Sequence, residues 1–426
     1  MFKIKINKLE NTEFTNTGYF QQTPFWSLFK QDHGWKYTRF LLEIEYPQED
    51  EDEHCEKSSF VKPIEKIYDK KENCEVSVLT RSFAHGMFSL AYIPLFPQLP
   101  FVCTPEEKID LLFDENNENT SNELVVQENI VTAETQAIEF VHLINDLGKA
   151  LKPYLPKNTI CIRFDPALGF SSPEFRDDYI HGMKLVAYAD RLKLKKNKVD
   201  IQPPDSTQID LTADEEEIMN RMKSKWRYNI RLAEKKGVEI ERITGDAADL
   251  SEKLDIFYDL YKITAERDGI GIHPKSYYED LLKRSSKQIA EGQDVPVISL
   301  YIAKHEEDYL GAIITLFSKS EAIYLYGCSS NTKRNLMPNF LLQWSAMKDA
   351  KAYGSSYYDM YGMPPTDDEN HPMHGLYLFK TGFGGNNIHR VGSWDVPTSF
   401  VYNFYNLAEK FRAFWHKTVI KKLKGR

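Results

Sequence analysis

Cysteine is scarce. Five occur in 426 residues (Cys55, Cys74, Cys103, Cys161, Cys328), odd in number, widely spaced and without a Cys-x-x-Cys pair. That pattern argues against a thiolate zinc site or a dithiol redox motif and fits isolated thiols in a reducing cytoplasm. No apolar run approaches the roughly 18–20 residues of a membrane-spanning helix. The N-terminus, Met1-Phe2-Lys3-Ile4-Lys5, alternates like a strand and lacks the apolar stretch of a signal peptide. Glycine (21) and proline (20) are too ordinary for a collagen-like or low-complexity chain. There is no Gly-x-Ser-x-Gly elbow and no Cys–His signature of a nucleophilic hydrolase. His371 and His374 stand three apart with no third ligand in view and read as loop residues.

What remains is a chain rich enough in apolar side chains (42 %) and aromatics (13 %) to bury a core, and long enough for two domains. With 63 acidic and 54 basic side chains the net charge is −9. That argues against a general nucleic-acid coat protein but leaves room for a local basic patch. The acidity is concentrated in the run Glu49–Glu53 and in the segment Glu106–Glu134, where nine acids face Lys108 alone. Both read as solvated insertions.

Outside those insertions one order of elements occurs twice. Arg39–Tyr46, Glu75–Ser82 and Met87–Pro94 read as strands. A helix over Thr135–Lys152 follows, with Phe140, Leu143, Leu147 and Leu151 three and four apart, then a strand over Thr159–Phe164. In the second half Pro296–Lys304, Leu310–Ser318 and Glu321–Gly327 read as a meander, followed by a helix over Pro338–Ala352 and a strand over Ser356–Tyr361. Helices over Thr23–Asp32 and Ser251–Asp268 precede the two sets. The economical architecture is α+β, with one unit present twice in tandem.

Between the units Gln202-Pro203-Pro204 marks a joint, and Leu211–Lys236 reads as one long helix. Thr212 and Glu215 have the spacing of a capping box, and Gly237 is placed to stop the helix. Lys223, Arg227 and Arg231, four apart, form a basic row beside the apolar stripe. Same-sign neighbours at that spacing disfavour an isolated helix. The row is either a solvated face or a contact for phosphate.

The order of elements suggests an N-acyltransferase-like (GNAT) unit. A CoA-dependent member would have a glycine-bearing pyrophosphate loop at a helix start. Here that place reads Asn331 to Pro338 and has no glycine, which argues against CoA as the donor.

Four blocks together point further: "TPFWSLFKQDHGW" (Thr23–Trp35), "MKSKWRYNIRLAEKKGVEI" (Met222–Ile240), "TAERDGIGIHPKSYY" (Thr264–Tyr278) and "LYLFKTGFGG" (Leu376–Gly385). In this order they resemble the FemABX family, the aminoacyl-tRNA-dependent transferases that build peptidoglycan interpeptide bridges. The resemblance spans nearly the whole chain apart from the insertions. It implies two GNAT-like domains around a substrate cleft: residues 1–200, residues 201–389, and a segment 390–426 that returns to the first domain. It implies transfer of an amino acid from aminoacyl-tRNA to the stem-peptide amine of a peptidoglycan precursor, lipid II or UDP-MurNAc-pentapeptide. No cofactor or metal is expected, since the ester is already activated. A monomer in the cytoplasm is expected, with peripheral contact at the inner face of the membrane left open. The alternatives are a GNAT-like N-acyltransferase acting on another polymer or lipid, and a non-catalytic precursor-binding member.

Carried over residue by residue, the resemblance assigns Lys30 to the precursor diphosphate; otherwise it is an exposed lysine on an amphipathic helix. Lys380, in "YLFK", matches a lysine at the transfer centre, where an ammonium would stabilise the oxyanion or hold the tRNA terminus; otherwise it pairs with a local carboxylate. Asp165 matches an aspartate near the substrate amine, suited to proton removal or orientation, and also reads as a turn former before Pro166. Tyr324 and Tyr326, alternating on one strand and so expected on one face, match channel-lining tyrosines; the other reading is core packing. Tyr277 matches a precursor contact. His273 stands where the family has a phosphate-pairing arginine and lacks the guanidinium fork, so Arg267 or the basic row would have to take over. Lys223, Arg227 and Arg231 are the candidate tRNA or phosphate contacts.

At the C-terminus, Lys410–Arg426 has seven basic residues and no acid, interleaved with Phe411, Phe414, Trp415, Val419, Ile420 and Leu423. This basic amphipathic segment fits anionic lipid, a tRNA patch, or a final packed helix.

Overall fold

The computed structural model describes residues 2–10, 19–45, 71–96 and 138–414. Both acidic insertions, Cys55, Cys103 and the tail 415–426 lie outside the described residues. In chain order the elements are β1 (Lys3–Leu9), α1 (Pro24–Asp32), β2 (Lys36–Glu45), β3 (Lys71–Phe83), β4 (Phe88–Phe96), α2 (138–151), β5 (Thr159–Pro166), β6 (Gly169–Phe170), α3 (Pro173–Ala189) and β7 (Lys195–Lys196). The second half continues with β8 (Asp205–Asp210), α4 (Glu215–Arg221), α5 (Ser224–Lys235), β9 (Glu239–Ile243), α6 (Leu250–Asp268), α7 (Lys275–Ala290), β10 (Val297–His305), β11 (Asp308–Phe317), β12 (Ala322–Ser329) and α8 (Pro338–Tyr353). Last come β13 (Tyr357–Asp359), α9 (His374–Thr381), β14 (Asn386–Arg390), β15 (Trp394–Pro397) and α10 (Tyr402–Phe414).

Two mixed sheets result, as expected of a duplicated α+β unit. Their orders are β1-β2-β3-β4-β5-β15-β7 and β6-β14-β8-β13-β12-β11-β10-β9. In each unit three antiparallel strands are followed by a helix and a strand parallel to the third: β5 beside β4, and β13 beside β12. The helix between parallel strands is the crossover such a pairing requires. The sheets trade elements. β6 comes from the first half and pairs with β14 in the second sheet, and β15 returns from the C-terminus to pair with β5.

The two units are held together by aromatic burial. Thr23 caps α1 and Pro24 starts it, as the local sequence favours. Its apolar side chains Phe25, Trp26 and Phe29 do not stay with their own sheet. They enter the second unit's core beside Phe257, Tyr261, Tyr278 and Leu281. Burying a large aromatic is worth about 1.5–3 kcal/mol, so α1 acts as a strong inter-unit clamp. A hydrogen bond between His33 and Asp280 at 3.0 Å and an ion pair of Asp32 with Arg284 flank it.

The single helix expected over Leu211–Lys236 is not formed. β8 ends at Asp210, α4 is short, and the chain breaks at Met222 before α5. The break is tertiary: the Lys223 N–H donates to the Gly382 carbonyl at 2.9 Å instead of to its own helix. Asp214, not Thr212, caps α4; Thr212 bonds to Asp210 through its N–H and hydroxyl. Gly237 ends α5 with φ 77°, as expected.

Candidate active site

One group of candidates meets between α1 and α7. The Lys30 ammonium lies 5.4 Å from the ring centres of both Trp26 and Tyr277 and donates to the Tyr277 hydroxyl at 3.2 Å. Burial, then the charge of Arg81, lowers its pKa to about 8. It is therefore a half-sequestered cation between aromatic faces, not a lysine waving in solvent. Tyr277 links onward to the Tyr326 hydroxyl at 3.5 Å, and the His273 ring stacks on Tyr277 at 4.0 Å. Partial burial, then Lys30 and His33, lower the His273 pKa, so the ring is neutral at pH 7 and offers one N–H.

A second group lies at the joint between the sheets. Lys380, on α9, is 5 % exposed. Its ammonium donates to the carbonyls of Met360 (2.6 Å), Gly362 (2.8 Å) and Tyr361 (3.1 Å), and sits 5.1 Å from the Tyr324 ring centre. Burial lowers its pKa to about 7, opposed by the charge of Asp359. The three carbonyls favour the ammonium, since a neutral amine has only two N–H groups to give. The local carboxylate pairing considered for Lys380 is not what holds it.

Tyr361 connects this lysine to Asp165. Its backbone is left-handed (φ 59°), unusual for a non-glycine residue, and its hydroxyl bonds to the Gln202 side chain. The Gln202 N–H donates to Asp165 at 3.2 Å. Asp165 also accepts from the Tyr92 hydroxyl at 2.5 Å and from Ser393. Burial raises its pKa, against these three donors. Asp165 lies inside strand β5 and is no turn former. Tyr361, Gln202, Tyr92 and Ser393 were not singled out from sequence. Only the Gln202-Pro203-Pro204 joint hinted at one of them.

The glycines of "KTGFGG" explain how Lys380 is held. A Cβ on Gly382 would strike the Trp226 ring, one on Gly384 the Arg221 backbone, and one on Gly385 the Gln208 backbone. The α9–β14 turn thus lies flat on α4, α5 and β8. The indole N–H of Trp226 donates to the Phe379 carbonyl at 2.9 Å.

Beside this turn opens a cavity of about 440 Å³, lined among others by Thr264, Arg267, Tyr324, Arg334, Asn339 and Phe379. The α8 N-terminus faces it, and its positive dipole end suits an anion. Lys333 and Met337 adopt left-handed φ without being glycine (47° and 56°), so this loop makes its turns in another way than expected. Arg267 lies at the cavity, bonded to Asp268, Asn331 and the Ser329 carbonyl, not beside His273 and Lys30. Lys223, just before α5, and Arg231 on it are exposed, while Arg227 donates to the carbonyls of Asn220 and Met222.

The expectation that Tyr324 and Tyr326 share a face is corrected. Ile314 pairs with Tyr326 and Thr315 with Tyr324, leaving Leu325 as an extra residue. This bulge breaks the alternation. Tyr326 packs with Tyr277 and Tyr278, whereas Tyr324 packs in the cluster on the other face, over Lys380. His371 and His374 lie at the entry to α9, His374 bonded to Asp367.

Comparison with known proteins bears on this arrangement. The profile of the FemAB family matches residues 137–290 and 283–410. The lipid II:glycine glycyltransferase of Staphylococcus aureus (strain USA300) is 25 % identical, over 65 % of this chain and 76 % of that protein. That of Staphylococcus epidermidis is 28 % identical, over 52 % of this chain and 64 % of that protein. The crystal structure of FemX superposes with a TM-score of 0.57 at 19 % identity, covering 91 % of this chain and 94 % of that one. At that identity the likeness speaks for the fold.

Proposed function

The chain belongs to the FemAB family, and from that premise we propose that it is an aminoacyltransferase. It moves an amino acid from aminoacyl-tRNA to the stem-peptide side-chain amine of a peptidoglycan precursor, lipid II or UDP-MurNAc-pentapeptide. The observation that carries the reading is a pair of contact groups, Lys30–Tyr277–Tyr326 and Lys380–Tyr361–Gln202–Asp165, that together draw on both sheets. Relatives named as lipid II:glycine glycyltransferases support the acceptor class.

In this reading Lys30 meets the precursor diphosphate, with Tyr277 and His273 beside it. The cavity under the α8 N-terminus takes the 3′ end of the charged tRNA, and Arg267 contacts it there. Lys223, Arg227 and Arg231 track the tRNA backbone. The amine attacks the ester carbonyl, and the carbon–oxygen bond to the tRNA ribose breaks. Amide and free tRNA form, and the proton lost by the amine ends on the departing hydroxyl. Lys380 exchanges a carbonyl partner for the developing oxyanion. That contact is stronger in the transition state than in the ground state and therefore lowers the barrier. Asp165 receives or relays the amine's proton, its raised pKa bringing it toward the working pH.

The test incubates the protein with charged total tRNA and a mixture of lipid II and UDP-muropeptides. An acceptor heavier by one aminoacyl residue is expected by mass spectrometry, and it should vanish when the tRNA is deacylated. Transfer from an acyl-CoA in place of charged tRNA would establish the second reading, an N-acyltransferase. The left-handed turns at Lys333 and Met337 keep that reading open, because they give the loop a turn without glycine.

A further inference from the structure

We propose that α10, with the lysine-rich segment around β7, is a docking surface for an anionic lipid bilayer. The inner side of the first turn of α10 packs on the protein. Tyr402 is 1 % exposed, and with Val401 and Tyr405 it packs on Leu90, Ile160 and Cys161. The Tyr402 hydroxyl donates to Asp395 at 2.9 Å.

The outer side is the reverse. Phe400, Phe404 and Leu407 are 82, 71 and 65 % exposed, and they follow one another at helical spacing. The same spacing continues in the sequence as Phe411 and Phe414. A scattered exposed leucine needs no explanation, but a stripe of large apolar side chains does.

Positive charge borders this stripe on the β7 side, and Glu409 is the one acid in the α10 sequence. Lys195 donates to Asn403 at 3.1 Å and lies 5.5 Å from the Tyr402 ring centre, which places the β7 segment against α10. Lys193 and Lys198 are exposed on the same segment. Beyond α10 the chain runs twelve residues further with five lysines and arginines and no acid. In a chain of net charge −9, the last 17 residues contribute +7.

An apolar stripe beside dense positive charge matches one partner best. The acyl boundary of a bilayer accepts the phenylalanines and leucine, and anionic headgroups attract the lysines. RNA would satisfy the lysines and could stack on the phenylalanines, but it offers nothing to Leu407. The inference does not depend on the reaction catalysed.

The experiment is flotation of the full chain with phosphatidylcholine vesicles, with and without phosphatidylglycerol. It is repeated for Phe404→Glu/Leu407→Glu, two exposed positions whose change leaves the core intact. Binding to the phosphatidylglycerol vesicles should exceed binding to pure phosphatidylcholine by about tenfold at low salt and weaken as salt rises. The double variant should lose about tenfold in vesicle affinity while its thermal midpoint and its affinity for charged tRNA stay unchanged. Failure of the unaltered chain to float with anionic vesicles would overturn the proposal. So would equal flotation of the variant, or a loss of tRNA affinity in the variant with vesicle binding intact, which would make the surface an RNA site.

Discussion

Replacing Lys380 by methionine removes one ammonium while keeping a side chain of similar length. The wild-type group donates to three carbonyl oxygens at 2.6, 2.8 and 3.1 Å, and the Met360 contact is fully buried. An orphaned buried acceptor costs about 1–3 kcal/mol. A stability loss of that size is expected, offset in part because the desolvated charge is gone. Catalysis should suffer separately. Loss of one preorganised oxyanion donor costs about 10²–10³ in kcat. The assay is single-turnover transfer of radiolabelled amino acid from tRNA, run well below the thermal midpoint of the variant, with urea unfolding measured in parallel. The wild-type rate should fall as pH rises above about 7, where burial places the loss of the ammonium, and the residual rate of the variant should lack that limb. A variant that keeps its rate within threefold while losing stability would refute the catalytic assignment. Lys380 would then be a brace for residues 360–362 and nothing more.

Lys30→Ala should raise the KM for the diphosphate acceptor about tenfold with little change in kcat. The wild-type KM should rise above pH 8 as the Lys30 ammonium is lost; a pH-independent KM would count against diphosphate contact. Tyr361→Phe should lower kcat without moving the Lys30-dependent KM, because it cuts the Gln202 link between the Lys380 loop and Asp165; an unchanged kcat would leave that link without a role. Glu321 accepts from the Phe20 N–H at 2.8 Å, and burial raises its pKa from 4.5 to about 7. The native state therefore holds the proton more tightly than the unfolded chain. Stability should be greatest below pH 4.5 as far as this group goes, and should decline as pH rises to about 7, by no more than about 3 kcal/mol. Urea titrations of Glu321→Gln at pH 5 and 8 should show that decline removed. Gly384→Ala should destabilise by about 2–4 kcal/mol, from a left-handed backbone (φ 79°) and a Cβ pressed on the Arg221 backbone; a neutral thermal shift would contradict that packing.

Much of this protein is determined by local sequence. Period-two and period-three-to-four patterns are properties of consecutive residues, so they place the repeated strands and helices of both units to within a few positions, but not α3, α7, α9, β9 or β14. Resemblance added the lysines at 30 and 380. What sequence could not determine depends on distant backbone. The helix expected across Met222 breaks because a carbonyl at Gly382 takes the Lys223 N–H, a partner some 160 residues away. Tyr324 and Tyr326 part company because one residue slips into β12 against β11, and a two-residue spacing contains no sign of the extra Leu325. Tyr361 and Gln202 carry no motif. They matter because the joint between the sheets brings a left-handed turn to Lys380 and a linker to Asp165. Side-chain type and spacing set which elements form, whereas the meeting of two sheets decides which polar groups lose water together, because that depends on backbone far apart in the chain.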